Sequence, residues 1–174
     1  GENRTLTLSE VEVISGGQNV AMKGKAKQSS TANGAGAKRA IDGKNSGIWT
    51  SGTLTHSNEG ESSPWWEVDL NGSYAVSKVK VWNRTEGQLG ERLAGFKVVL
   101  LDENRKPIFT SKRFEAPKES AVISMRNGRV QYNKGTVGSM TAIKVIKKVS
   151  GPKHPAVTPG TPPKSLEIVK NMRI

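Results

Sequence analysis

Apolar and polar positions alternate with period two along much of this chain, the pattern of strands with one buried face. Residues 5–14, TLTLSEVEVI, show it first, with Leu6 and Leu8 in one run and Val11 and Val13 in the next. The phase changes between Leu8 and Val11, which predicts a bulge or bend at Ser9-Glu10. Strand-like stretches follow at WWEVDL (65–70), AVSKVKVW (75–82), GFKVVLLD (95–102), PIFTS (107–111) and AVISM (121–125). The segment NVAMKGKAKQSS is compatible with extended chain, and MTAIKVIKKV (140–149) with a strand or a short helix. Residues 29–64 are rich in Gly, Ser, Thr and Asn, with AIDG and GIWT as apolar anchors. A segment of that length without regular structure is usually functional or mobile. No stretch carries the 3.6-residue period of a long amphipathic helix. Many short strands separated by turn residues predict an all-β jelly-roll β-sandwich, with its chemistry in the loops at one end.

Two units are expected. Residues 1–149 form the sandwich, and 150–174 form a Pro-rich linker followed by a C-terminal strand. The stretch 150–164 holds five prolines, and SLEIVKNMRI reads as a strand. The abrupt start at GENRTLTL reads as a piece of a longer, multidomain protein, and no apolar run reaches the roughly 20 residues that span a bilayer.

Composition narrows the chemistry. The chain of 174 residues has no cysteine, so disulfides and thiolate metal sites are excluded. Lysine and arginine number 27 against 15 acidic residues, a formal charge of +12. Such an excess fits an anionic partner, whether nucleic acid, an acidic or sulfated polysaccharide, or a membrane surface, although no motif specific to nucleic acid is expected. The basic residues are spread without a block of like charge, which favours plain solubility. No P-loop, nucleophile elbow, zinc-protease motif or CxxC is present. Glu67 and Asp69 are expected on opposite faces of one strand, and no pair of convergent carboxylates is nominated for glycoside hydrolysis. A non-catalytic protein is expected.

One loop draws attention. VWNRTEGQLGERL (81–93) leaves a strand and then carries Arg84 and Arg92 with few apolar neighbours. The bland explanation pairs them on the surface with Glu86 and Glu91, worth about 0–1 kcal/mol. The functional one holds them for a ligand. A guanidinium presents several N–H donors in fixed geometry, suited to the vicinal hydroxyls of a sugar. A histidine such as His56 can donate or accept beside them, and an aromatic ring can cover a sugar's C–H face.

The stretches NVAMKGKAKQSS, AKRAIDGKNSGIWTSGTLTHS, PWWEVDL and VKVWNRTEGQLGERLAGFKVVLLD together resemble the F-type lectins, the fucolectin branch of the discoidin-like galactose-binding fold. The resemblance covers roughly residues 19–102, and LTLSEVEV at 6–13 belongs to it. The family's fucose motif is a His followed, about two dozen residues later, by R-x-D-G-x4-R/K. Here His56 is followed by Arg84-Thr85-Glu86-Gly87 and then Arg92. The resemblance implies that His56, Arg84 and Arg92 hydrogen-bond a fucose-like sugar, with Trp49 bordering it. Glu86 stands where the family has Asp, and the vicinal cysteines of some animal members are absent. Glycans, fucosylated or related, are the implied partners, and a secreted, periplasmic or cell-surface bacterial protein is the implied setting. A module of the same fold used for attachment without sugar is the alternative.

The resemblance also implies a structural Ca²⁺. Asp42 would supply a carboxylate, Arg39 and Lys44 backbone carbonyls, and Thr53 a further oxygen. In the usual chain order the last ligands come from a C-terminal strand. Here its counterpart lies at the N-terminus, so Glu10 and the Ser9 carbonyl would complete the site if the strand closes this same domain in permuted order. The alternative is that residues 6–13 end a preceding module.

Overall fold

The computed structural model describes residues 3–126, 129–132 and 166–174. Ten strands run among them: β1 (Glu10–Ser15), β2 (Gln18–Asn19), β3 (Lys25–Gln28), β4 (Trp66–Val76), β5 (Lys78–Trp82), β6 (Val99–Leu101), β7 (Pro107–Thr110), β8 (Ser120–Arg126), β9 (Arg129–Tyr132) and β10 (Leu166–Arg173). They form two five-stranded sheets, ordered β2-β1-β5-β8-β9 and β3-β4-β10-β6-β7. All their pairings are antiparallel. The chain is an all-β sandwich, as its alternation predicts. Helix among the described residues is limited to four 3-10 turns, at Val20–Lys23, Ala37–Ile41, Trp49–Ser51 and Leu89–Leu93.

Alternation explains the core. On β1, Val11 and Val13 point inward; on β5, Val79 and Val81 do; on β4, Trp66, Val68 and Leu70 are fully buried. Leu100, Phe109, Ile123, Met125 and Met172 join them from the other strands. The indole N–H of Trp66 donates to the Ala37 carbonyl at 3.0 Å, so the largest buried ring leaves no polar atom unpaired and anchors the Ala37–Ile41 turn.

The phase change near Ser9 has a physical cause. Residues 6–8 pair with the long loop: Thr55 N–H donates to the Leu8 carbonyl and Ser57 N–H to the Leu6 carbonyl. Ser57 and Thr55 hydroxyls accept the Leu6 and Leu8 N–H groups in return. At Ser9 the chain bends, its N–H donates to the Trp82 carbonyl, and β1 then pairs with β5 from Glu10↔Trp82 onward. Residues 5–8 are therefore buried but outside the sheets, with Leu6 and Leu8 hydrogen-bonded to the long loop.

Three expectations need correction. Glu67 and Asp69 share a face of β4, because positions two apart on a strand do; both lie within electrostatic reach of Arg105. Only Val99–Leu101 of the stretch 95–102 is strand, since the Ser111 hydroxyl takes the Val98 N–H at 2.8 Å in place of a ladder partner. Val20–Lys23 is a 3-10 turn, capped by the Asn19 side chain on Ala21 N–H. The C-terminal strand β10 lies between β4 and β6, inside a sheet. The segments 140–149 and 150–164 lie outside the described residues.

Candidate functional site

The long loop and the loop after β5 meet in a concave site of about 450 Å³, lined by Asn33, Trp49, His56, Arg84, Leu89 and Arg92. His56, Arg84, Arg92 and Trp49, the four residues singled out in the sequence, are thus brought together. His56 is buried. Its Nδ1 lies 2.6 Å from the Ser57 carbonyl and its Nε2 lies 3.1 Å from Arg92 Nη1. A carbonyl can only accept and a guanidinium can only donate, so this geometry fits the neutral ring with the proton on Nδ1. The Trp49 ring stands edge-on to His56 at 5.6 Å between centroids, and the Arg84 guanidinium carbon lies 5.3 Å from the Trp49 centroid.

Glu86 organises the other half. Its Oε2 accepts from Arg84 Nε at 2.9 Å and from the Trp49 backbone N–H at 2.8 Å, and lies 2.7 Å from Arg84 Nη2. One carboxylate therefore neutralises the buried arginine and ties its loop to the aromatic wall. Asn83 braces the same loop, donating through Nδ2 to the Gly90 and Pro117 carbonyls while Oδ1 takes the Arg84 N–H. Gly90 is required here: a Cβ would sit 2.6 Å from the Arg84 carbonyl oxygen. Arg92 pairs with Glu59 at 2.9 Å, not with Glu91 as the bland reading had it.

A second polar corner lies where β1 meets the loop after Ala37–Ile41. Glu10 is 2% exposed, and its Oε1 accepts the Gly43 N–H at 3.1 Å. Its Oε2 is buried without a hydrogen-bond partner. Burial pushes this carboxyl up to about 7, the Asp42 carboxylate adds to the rise, and the Gly43 N–H opposes it. The Asp42 carboxylate accepts the Lys44 N–H at 2.9 Å. Ser9 and Thr53 hydroxyls both donate to the Ser46 carbonyl. Arg39 turns its guanidinium away, to the Leu54 carbonyl. No group of three or more His, Cys, Asp or Glu able to hold a metal occurs among the described residues, so any cation here would depend on two carboxylates and neutral oxygens.

Residues 39–145 match the family described as NedA-like, galactose-binding domain. The chain belongs to this family. Within it, this F-type lectin domain is 34% identical to the Fucolectin of Anguilla anguilla over 119 residues, covering 66% of the chain and 71% of that protein. It is 36% identical to Fucolectin-6 of Anguilla japonica, over 50% of the chain and 48% of the relative, so it spans about half the length of that protein. Its backbone superposes on the lectin domain of Lectinolysin complexed with Lewis B antigen with a TM-score of 0.61 and 25% identity, covering 90% of this chain and 83% of that one. A Streptococcus pneumoniae fucose binding module shares the fold at 22% identity, with a TM-score of 0.61 over 90% of this chain and 84% of the other. The domain is non-catalytic. Among its described residues no helix is long and apolar enough to cross a membrane.

The pocket of this F-type lectin domain also includes residues the sequence reading passed over. Asn33 and Leu89 line the pocket, and Glu59 and Asn83 hold its arginines. Asn33 has a positive φ of 53°, and the Asn33-Gly34 dipeptide was a turn signal. Nothing local in the sequence marks Leu89 or Glu59 as neighbours of His56.

Proposed function

We propose that this chain is a carbohydrate-binding lectin module that recognises a fucose-like terminal sugar in the pocket of His56, Arg84 and Arg92. The observation that carries the reading is the convergence of these three side chains with Trp49 around one open concavity. Glu86 engages two of the five N–H donors of Arg84, and Arg92 gives one each to His56 and Glu59. The remaining donors suit vicinal hydroxyls, and ion pairing fixes both forks before a ligand arrives, which lowers the ordering cost of binding. A deoxy sugar carries a methyl where its parent has a hydroxymethyl. Leu89 and the Trp49 ring supply apolar surface for that methyl and for the C–H face. The names of the fucolectin relatives and of the Lewis B complex support this ligand class, and secretion or surface display is the matching setting.

The fit of the Glu10 corner to calcium rests on its unpartnered buried oxygen. Glu10 and Asp42 would supply carboxylates, and the backbone carbonyls of Ser9, Arg39 and Lys44 with the Thr53 oxygen would complete a hard-oxygen set. A bound Ca²⁺ would supply charge neutralisation, pinning the long loop that carries Trp49 and His56.

A glycan-binding assay tests the sugar site. Arg84→Ala and Arg92→Ala should each weaken binding to fucosylated glycans by about 1.5–3 kcal/mol, the scale of a hydrogen bond to a charged group, while both proteins remain folded. Undiminished binding in both variants, or none by the calcium-loaded wild type, rejects the reading.

A further inference from the structure

A separate cleft of about 930 Å³ opens beside the ends of β6 and β10. It shares no lining residue with the His56 pocket. Five cations line it, Arg4, Lys97, Arg105, Arg113 and Arg173, with no acidic side chain among the described lining residues. They come from five separate stretches: the segment before β1, the approach to β6, the β6–β7 turn, the loop after β7 and the end of β10. The fold gathers charge that the sequence scatters.

Several of these side chains are held in place. Arg113 donates to the Gly95 carbonyl at 2.9 Å and Arg4 to the Ala94 carbonyl. The Gly95 acceptor is neutral, so it positions the Arg113 guanidinium without cancelling its charge. Arg173 lies over Trp65, its guanidinium carbon 4.7 Å from the ring centroid. Glu67 gives both carboxylate oxygens to Arg105, at 2.9 and 2.8 Å, and Asp69 lies within its electrostatic reach. Among the described residues these two acids face Arg105, and the lining places Lys97, Arg113 and Arg173 beside it. Lys97, Arg113 and Arg173 are exposed.

We propose that this cleft is a second glycan site that takes a sulfated or carboxylated saccharide. Guanidinium forks match the paired oxygens of sulfate and carboxylate, and the half-buried Trp65 gives a sugar ring an apolar wall. A single-stranded nucleic acid is the poorer fit, because it needs successive aromatic platforms along a basic track and this cleft offers one indole. A membrane surface is poorer still, since exposed apolar anchors are wanted beside the cations. Among the described residues, the exposed large apolar side chains, Met22 and Ile48, lie outside the cleft lining. The proposal does not rest on the fucose reading.

The test is binding of a dextran sulfate oligosaccharide to the whole chain at low salt, with unsulfated dextran as the blank. Two triple variants remove equal charge: Lys97→Ala/Arg113→Ala/Arg173→Ala in the cleft, and Lys23→Ala/Lys38→Ala/Lys118→Ala on exposed positions elsewhere. The cleft triple should lose affinity by about tenfold or more and show a shallower salt slope, and the control should lose about twofold at most. Arg84→Ala should bind dextran sulfate like the control. If the cleft triple does not fold, the single change Lys97→Glu, at an exposed side chain, must still weaken binding more than Lys38→Glu does. The proposal is overturned by equal losses in the two triples, by loss of binding in Arg84→Ala, or by no binding in the wild type. It is also overturned if an oligonucleotide or a phosphatidylserine vesicle binds more tightly than dextran sulfate through the same three residues.

Discussion

The two polar corners of the long loop solve opposite electrostatic problems. At the His56 pocket each arginine meets a carboxylate: Arg84 has Glu86 and Arg92 has Glu59. At the β1 corner a buried carboxylate accepts the Gly43 N–H, has an acidic neighbour in Asp42, and keeps an oxygen with no partner. The first corner is complete as it stands, its donors already aimed. The second is incomplete without a proton or a cation, because an uncompensated charge in low dielectric is costly. One corner is built to hold a shape, the other to respond to its medium.

The largest expected contrast concerns pH. The folded value for Glu10, about 7, lies above its ordinary 4.5. Native protein therefore holds the proton more tightly than the unfolded chain. The stability this gives is fully present below pH 4.5 and is lost as pH rises through about 7. In chelator, urea unfolding of the wild type should lose about 3 kcal/mol relative to Glu10→Gln between pH 4.5 and pH 8. Parallel curves would mean that the carboxylate has found a partner.

Calcium should act next in size. At a hundredfold excess over its dissociation constant, added Ca²⁺ should raise unfolding free energy by about 2.7 kcal/mol at pH 7.5, with no effect on Glu10→Gln or Asp42→Asn. A wild-type melting curve that ignores both calcium and chelator removes the metal from the account. Within the pocket, Glu86→Gln should lower sugar affinity by about 1–2 kcal/mol, since Arg84 loses its charged acceptor and the Trp49 N–H keeps only an amide oxygen. An isothermal titration showing full affinity would make Glu86 dispensable for aiming Arg84. The smallest effect is expected for Glu59→Ala. Its side chain is 70% exposed, and an exposed ion pair is worth about 0–1 kcal/mol. A larger loss in the same titration would show that Arg92 is as tightly held as Arg84.

The parts of this contrast legible in the sequence are those with short-range causes. Alternation at 66–70 and 78–82 located β4 and β5, because a half-buried strand must alternate. The bend at Ser9 was readable from the phase change, but its cause was not: Thr55 and Ser57 approach across some 47 and 51 residues. The resemblance to the F-type lectin motif assigned His56, Arg84 and Arg92 to one pocket. Glu59, Asn33 and Leu89 complete its wall from elsewhere, and no local pattern encodes that meeting. The basic cleft is the clearest case. Its cations sit at positions 4, 97, 105, 113 and 173 and look like evenly spread charge until the fold brings them together.

The position of β10 sets a timetable for assembly. It pairs Met172 with Val68 on one side and with Leu100 on the other, so among the described residues it is the hydrogen-bonded join between β3-β4 and β6-β7 in its sheet. Until residues 166–173 leave the ribosome, that sheet is two small pieces with exposed edges, and the core lacks Met172. Closing contacts between positions about a hundred residues apart is slow, on the millisecond-to-second scale of non-local β topologies. Synthesis, at about 5–20 residues per second, outlasts that closure, so the waiting fragments are the stage at which a chaperone or an unwanted strand would find this chain.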